Sequence, residues 1–308
     1  MSKFSRKHSV QERSWVQGTT VFLVITFGLA WVNWILLWLM GVSPAGETQA
    51  FQLFALPASF APAIAALIVR LWVTREGLAD AGLGFNLRHK WHFYLLAWLL
   101  PLALIAVVVL LAPVLGISQP DFSMQRAYRD MGQSPGGPAL SSRLPVYLVM
   151  AILMTPLLWG EEFGWRGYLQ IRLLAHRPLL AALVTGLIWG VWHYPLVLMG
   201  FEYPDQRMLG LLVFPVTTVL YAIILGWLFL RSGSIWPPSL FHVTMNTIGG
   251  NVLLLLFRGG PNYIFVSHEG MLIWIPMAFV SAWIILSGQL KSGRKQLGVG
   301  DRRPPRED

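Results

Sequence analysis

Two adjacent glutamates, Glu161 and Glu162, close the apolar run 144–160, and Arg166 follows one helical turn later. A charged side chain at the centre of a bilayer costs about 2.5–3.5 kcal/mol on insertion scales, so such groups are rare there and usually functional. Two further apolar stretches carry polar residues of complementary type: His193 in LIWGVWHYP, and His242 with Asn246 in SLFHVTMN. An ionised glutamate can take a proton from water, with a histidine sharing the work. A second histidine and an amide can donate hydrogen bonds to an oxyanion. Together these groups can hydrolyse an amide. Glu161, His193 and His242 can equally hold a catalytic zinc, which often takes three protein ligands and keeps a fourth position for water. The residue types alone leave both readings open.

Spacing assigns the roles further. Residues four apart share a helix face, so Glu162 and Arg166 pair and keep each other from being orphaned in low dielectric, which leaves Glu161 as the working acid. Trp189 lies on the face of His193, and His242 lies on that of Asn246. Each group also has a plain structural reading. The two acids and Arg166 can be solvated at the interface, His193 can be a hydrogen-bonded packing residue, and His242 with Asn246 can join helices. The midpoint of 161 and 193 is 177, next to Pro178. A turn there sets Glu161 level with His193 on antiparallel helices. Segment 165–177 has apolar positions at helical spacing between three arginines. It either continues the fourth helix or lies along the interface.

The elements that must bring these residues together are membrane helices. The chain has 308 residues, of which 55% are hydrophobic and 12% charged, against about 25% charged in a typical soluble domain. Its mean hydropathy is +0.58. A span needs about 20 mostly apolar residues. Eight runs qualify: 18–41, 50–72, 93–116, 144–164, 179–200, 209–230, 235–257 and 270–287. The expected fold is an all-α polytopic membrane protein, a single membrane domain over 1–308, with its polar cavity near the cytoplasmic leaflet. Alternation from an inside N-terminus puts 18 of the 23 Lys and Arg on one side and five (Arg126, Arg129, Arg143, Arg207 and Arg258) on the other. That bias predicts both termini in the cytoplasm, and a plasma-membrane location in a bacterium. The tail 288–308 is basic and reads as disordered against anionic lipid. The net charge of +9 is this scattered topology signal and does not point to nucleic acid. With no cysteine, disulfides, thiol nucleophiles and cysteine metal sites are excluded.

Other protease signatures are missing. His268-Glu269 is followed at position 272 by Leu272, so no HExxH helix exists. Aspartates are confined to loops and the tail, and no intramembrane Gly-x-Ser-x-Gly occurs.

The ordered set Glu161-Glu162-Phe-Gly-Trp-Arg166, Trp189-Gly-Val-Trp-His193 and His242-Val-Thr-Met-Asn246 resembles the CPBP family. That family includes type II CAAX prenyl proteases and bacteriocin-processing or immunity proteins. The motifs cover about 141–250. Trp189 departs from the pattern, which commonly has Phe there. The resemblance implies a cavity open to cytoplasm and membrane, and endopeptidase activity on peptides or membrane-anchored proteins, prenylated ones included. It implies that Glu161 with His193 activates water, that His242 and Asn246 stabilise the oxyanion, and that Glu162 and Arg166 support the site. The family has been discussed both as metal-dependent and as a glutamate protease. Asn246 beside His242 favours the version without metal. Competing expectations are a non-catalytic scaffold or immunity protein of the same fold and a proton-coupled transporter, with bis-histidine haem binding a minor one. Many transporters have an inverted repeat, and none is visible here.

Overall fold

In lipid every backbone N–H and C=O must be satisfied within the chain, so long apolar runs without charge become helices. The computed structural model describes residues 3–42, 48–132, 137–138, 140–174 and 176–290, and among these there is no strand. In order they form α1 (Lys3–Leu39), α2 (Thr48–Ser59), α3 (Ala61–Ile68), α4 (Leu87–Val114) and α5 (Gln125–Asp130). Then come α6 (Leu140–Gly164), α7 (Pro178–Trp192), α8 (Tyr194–Met199) and α9 (Arg207–Ser232). The chain closes with α10 (Trp236–Thr244), α11 (Gly250–Phe257), α12 (Tyr263–Val266) and α13 (Trp274–Leu286). Wide π turns at Val69–Val73, Trp165–Gln170 and Met245–Gly249 extend α3, extend α6 and join α10 to α11.

Among the described residues six helical stretches are long and apolar enough to cross a membrane, and two shorter apolar ones, Pro178–Trp192 and Trp274–Leu286, match the remaining expected runs. The protein is a multi-pass helical membrane protein. The fifth run is shorter than the sequence suggests because of Pro195. Proline has no N–H to bond back to Val191, so α7 stops at His193 and α8 restarts the chain. The tail 291–308, much of SPGGPALSS and the side chains of Lys3, Arg6, Lys7 and Arg13 lie outside the described residues.

Helix α7 packs along α9, and α10 is wedged among α6, α4 and α9, while α3 lies between α1 and α6. Glycines set the closest approaches. A Cβ on Gly164 would meet Pro62 at 2.3 Å, and one on Gly190 would meet the Pro215 backbone at 2.7 Å. Large apolar side chains point outward from α1, α4 and the first half of α6, among them Leu36, Leu110 and Leu153, as a lipid-facing surface requires. The second half of α6 differs: every residue from 160 to 171 is buried. The first part of segment 165–177 is therefore inside the bundle, and its exposed residues begin at Leu174. Through Gln170 it continues the helix inside the protein.

The two ends of the bundle carry distinct polar structures. At one, Arg70 donates through Nη1 to Asp80 Oδ1 (2.8 Å) and Gly77 O (2.9 Å), and through Nη2 to Gly167 O (2.6 Å). Arg172 completes this clamp on Glu76 (2.9 Å) and Asp80 (3.2 Å). It ties loop 74–86 to the π turn that follows α6. At the other end, Asn262 bonds Ile117 O (3.1 Å) and Tyr203 Oη bonds Glu269 O (2.6 Å).

Candidate active site

Glu161 and Glu162 lie at the start of the buried stretch, where α6 faces α7 and α10. Glu162 is completely enclosed. Its Oε1 accepts from Arg166 Nη1 at 3.0 Å and from His242 Nδ1 at 3.0 Å. The pair expected from the four-residue spacing therefore exists, and it has a third member 80 residues away. With Nδ1–H on a carboxylate, the free atom of His242 is Nε2.

Glu161 is held differently. Its Oε2 accepts the indole N–H of Trp189 at 2.9 Å. That is a neutral donor, and no cation pairs with this carboxylate among the described residues. Trp189 also fixes His193. Because α7 ends there, the His193 backbone N–H bonds Gly190 O (3.2 Å). The Trp189 carbonyl left by that shift accepts from His193 Nδ1 at 2.9 Å. The proton is then on Nδ1, and Nε2 presents its lone pair. The Trp189 ring packs edge-on against both histidines, with centroids at 5.8 Å (His193) and 5.2 Å (His242). The Arg166 guanidinium lies over its face at 4.5 Å. One tryptophan thus touches Glu161, Arg166, His193 and His242.

Helix α1 supports the far side. Trp31 Nε1 bonds Trp192 O (2.9 Å), Trp192 Nε1 bonds Thr26 O (3.3 Å), and Trp34 stacks near His193 at 6.2 Å. Glu161 and His193 are joined through Trp189, in keeping with the level placement expected from a turn next to Pro178.

Asn246 behaves otherwise than its spacing suggests. The π turn Met245–Gly249 begins one residue before it. His242 is buried, whereas Asn246 is exposed. Asn246 stands outside the hydrogen-bonded set of Glu161, Glu162, Arg166, Trp189, His193 and His242.

Each of Glu161, His193 and His242 keeps one uncommitted donor atom. The three atoms are not gathered as around one ion, however. Among the described residues one group of three or more metal-ligating side chains has its donor atoms within 4.8 Å of one another: Glu202, His268 and Glu269. These lie in the connections before α9 and before α13. They are close enough to Glu161 and His242 for those charges to act on Glu269 and His268. Burial pushes both carboxyls up. Sequence reading missed this group, since its members are 66 residues apart. The one signal, His268-Glu269, lacked the second histidine of a helical zinc motif.

Residues 141–248 match the family described as type II CAAX prenyl endopeptidase Rce1-like. The match falls on the stretch whose motifs resemble the CPBP family, and for these residues it supports that resemblance. The stretch begins with α6 and ends within the π turn after α10, so it holds every buried polar group of the Trp189 network. A protein named CAAX prenyl protease 2, from Methanococcus maripaludis, is 30% identical over 121 residues. That match covers 37% of this chain and 43% of the relative's length. Glu202 lies within the matched residues 141–248, whereas His268 and Glu269 lie beyond them.

Proposed function

We propose that the chain is a CPBP-type membrane endopeptidase, which hydrolyses peptide bonds of membrane-associated chains, prenylated CAAX-type chains among them. The observation that carries the reading is the double role of Trp189. Its N–H holds Glu161 and its carbonyl holds His193, which leaves one carboxylate oxygen and one imidazole nitrogen free on the same support. A water between them loses a proton to Glu161, with His193 Nε2 as its second acceptor, and attacks the carbonyl carbon. The tetrahedral oxyanion is met by His242. With Nδ1–H bound to Glu162, a proton on Nε2 makes His242 a donor whose charge Glu162 balances. Asn246 supplies the second donor once a peptide is present, and its exposure puts it on the approach side. An exposed amide in mid-span is costly against lipid and suits an opening that water and a peptide can enter. The proton on Glu161 then passes to the leaving amine, and the bond breaks. Glu162 and Arg166 position His242 and the α6 backbone.

This mechanism needs no metal, and the separation of the Glu161, His193 and His242 donor atoms favours it. The test is cleavage of a panel of prenylated and unmodified membrane-anchored peptides by purified protein in lipid nanodiscs. Glu161→Gln and His193→Ala are each expected to lower turnover about 10²–10⁴-fold, the range of general-base catalysis. Full cleavage by either variant would overturn the assignment. Partner binding that survives Glu161→Gln, with no peptide ever cut by the wild type, would identify a non-catalytic scaffold instead.

A further inference from the structure

Glu202, His268 and Glu269 form a second polar centre, which the mechanism above does not use. Their donor atoms lie within 4.8 Å of one another, and His268 Nε2 is 3.7 Å from Glu269 Oε1. Two facts set the group apart from a structural ionic cluster. No Lys or Arg pairs with Glu202 or Glu269 among the described residues. In addition, His268 Nδ1 and Glu269 Oε2 are enclosed atoms without a hydrogen-bond partner. Buried polar groups in native proteins are almost always bonded, so orphaned acceptors converging from two side chains call for a ligand.

The support for these side chains is built with care. The Glu269 carbonyl accepts from Tyr203 Oη (2.6 Å) and Thr217 Oγ1 (2.9 Å), and Thr217 in turn accepts from Trp274 Nε1 (2.7 Å). The loop backbone is pinned by Met271 N to Ile264 O (3.2 Å) and Leu272 N to Phe265 O (2.9 Å). Gly249 leaves room for the imidazole, since a Cβ there would lie 2.8 Å from the His268 Cβ. Three potential ligands on a rigid, hydrogen-bonded frame are what a metal site requires.

We propose that Glu202, His268 and Glu269 bind one divalent first-row transition ion, of the zinc or manganese class, next to the Glu161–His242 site. One imidazole and two carboxylates suit these ions better than calcium or magnesium, which prefer all-oxygen sites, or copper(I), which prefers sulfur. Three protein ligands leave at least one position open to water. The ion supplies the positive charge that no basic side chain provides among the described residues. The site is independent of the endopeptidase reading, because it uses none of the residues assigned to that chemistry.

The test uses the full-length protein in nanodiscs, stripped with chelator and dialysed against Zn²⁺ alone or Mn²⁺ alone. Elemental analysis is expected to find about one equivalent per chain, as for a three-ligand site. Glu202→Gln and Glu269→Gln are each expected to weaken binding at least about tenfold. Glu161→Gln and His193→Ala are expected to retain it. Pulsed EPR of the Mn²⁺ form should show coupling to an imidazole nitrogen, which His268→Gln removes while size-exclusion and thermal melts report an intact fold. The proposal is overturned if neither ion exceeds the background of a bare nanodisc. It is also overturned if binding survives both glutamate variants, or if it vanishes with Glu161→Gln, which would move the ion to the CPBP motif.

Discussion

Arg70 and Arg166 are both wholly buried, and each sits on a π turn in a membrane-spanning helix, yet the two regions around them are organised on opposite terms. Arg70 spends its Nη atoms on a carboxylate and two carbonyls, and with Arg172 it faces Glu76 and Asp80. Two cations meet two anions, and of the Arg70 nitrogens only Nε lacks a partner. Arg166 reaches one carboxylate oxygen and rests on the Trp189 face, with Nε and Nη2 unbonded. Around it stand two acids, and His242 takes the same Glu162 oxygen that Arg166 does. One acid, Glu161, is left with only a neutral indole. A network whose carboxylates are all matched by cations holds helices together, whereas the one around Arg166 has a carboxylate free to accept a proton. The difference separates scaffold from site without any appeal to motif.

The sharpest way to break that comparison is to remove both arginines in turn. Deleting one partner of a buried ion pair costs about 3–5 kcal/mol, since the other charge is stranded. Arg166→Ala is expected to destabilise the protein on that scale and to abolish cleavage in the molecules that remain folded. Arg70→Ala is expected to lose comparable stability while the folded fraction, quantified by size-exclusion, cleaves at close to the normal rate. If Arg70→Ala silences the folded fraction as well, the clamp is part of the site and the distinction fails.

Local spacing made part of this legible. The Glu162–Arg166 pair and the apolar runs depend on residues within a few positions of each other, whereas the break at Pro195 inside the fifth run was not anticipated. The partners that define Glu161 are not so local. Trp189 is 28 residues from Glu161, and His242 is 80 from Glu162, so their contacts follow from how α6, α7 and α10 pack. A regular helix was expected through 245–249, where the structure has a π turn. No residue type there announces a π turn. The Glu202, His268 and Glu269 group was out of reach for the same reason as the Trp189 bridge, since loops on separate helix pairs bring it together.

A smaller effect sharpens the role of Trp189. The family pattern commonly has Phe at this position, so Trp189→Phe keeps an aromatic ring for Arg166 and the histidines and removes only the N–H to Glu161. A hydrogen bond to a charged group contributes about 1.5–3 kcal/mol. Part of that is recovered if water reaches the vacated oxygen. Turnover is expected to fall about tenfold, equivalent to ~1.4 kcal/mol in the barrier, with little change in the thermal midpoint. A loss as large as that of Glu161→Gln would mean that the indole does more than hold the carboxylate.

The smallest effect belongs to the rim of the clamp, and its pH dependence has a definite sign. Burial pushes the Asp80 carboxyl up, but the Arg70 hydrogen bond and the charges of Arg172 and Arg70 outweigh it and hold the group below its ordinary value of 3.8. A carboxyl lowered in the folded state contributes stability that is present above 3.8 and is lost as pH falls through the lower folded value. Asp80 is partly exposed, so solvent screening keeps that contribution within ~1 kcal/mol. Thermal melts of the nanodisc-embedded protein from pH 6 to pH 3 should show an acid-dependent loss that is smaller in Asp80→Asn. Turnover at pH 7 should be the same in both proteins, because the clamp shares no side chain with the Trp189 network. If Asp80→Asn leaves the acid loss unchanged, the sensitivity belongs to other carboxylates, and the clamp owes its stability to the Arg70 bonds with Gly77 and Gly167.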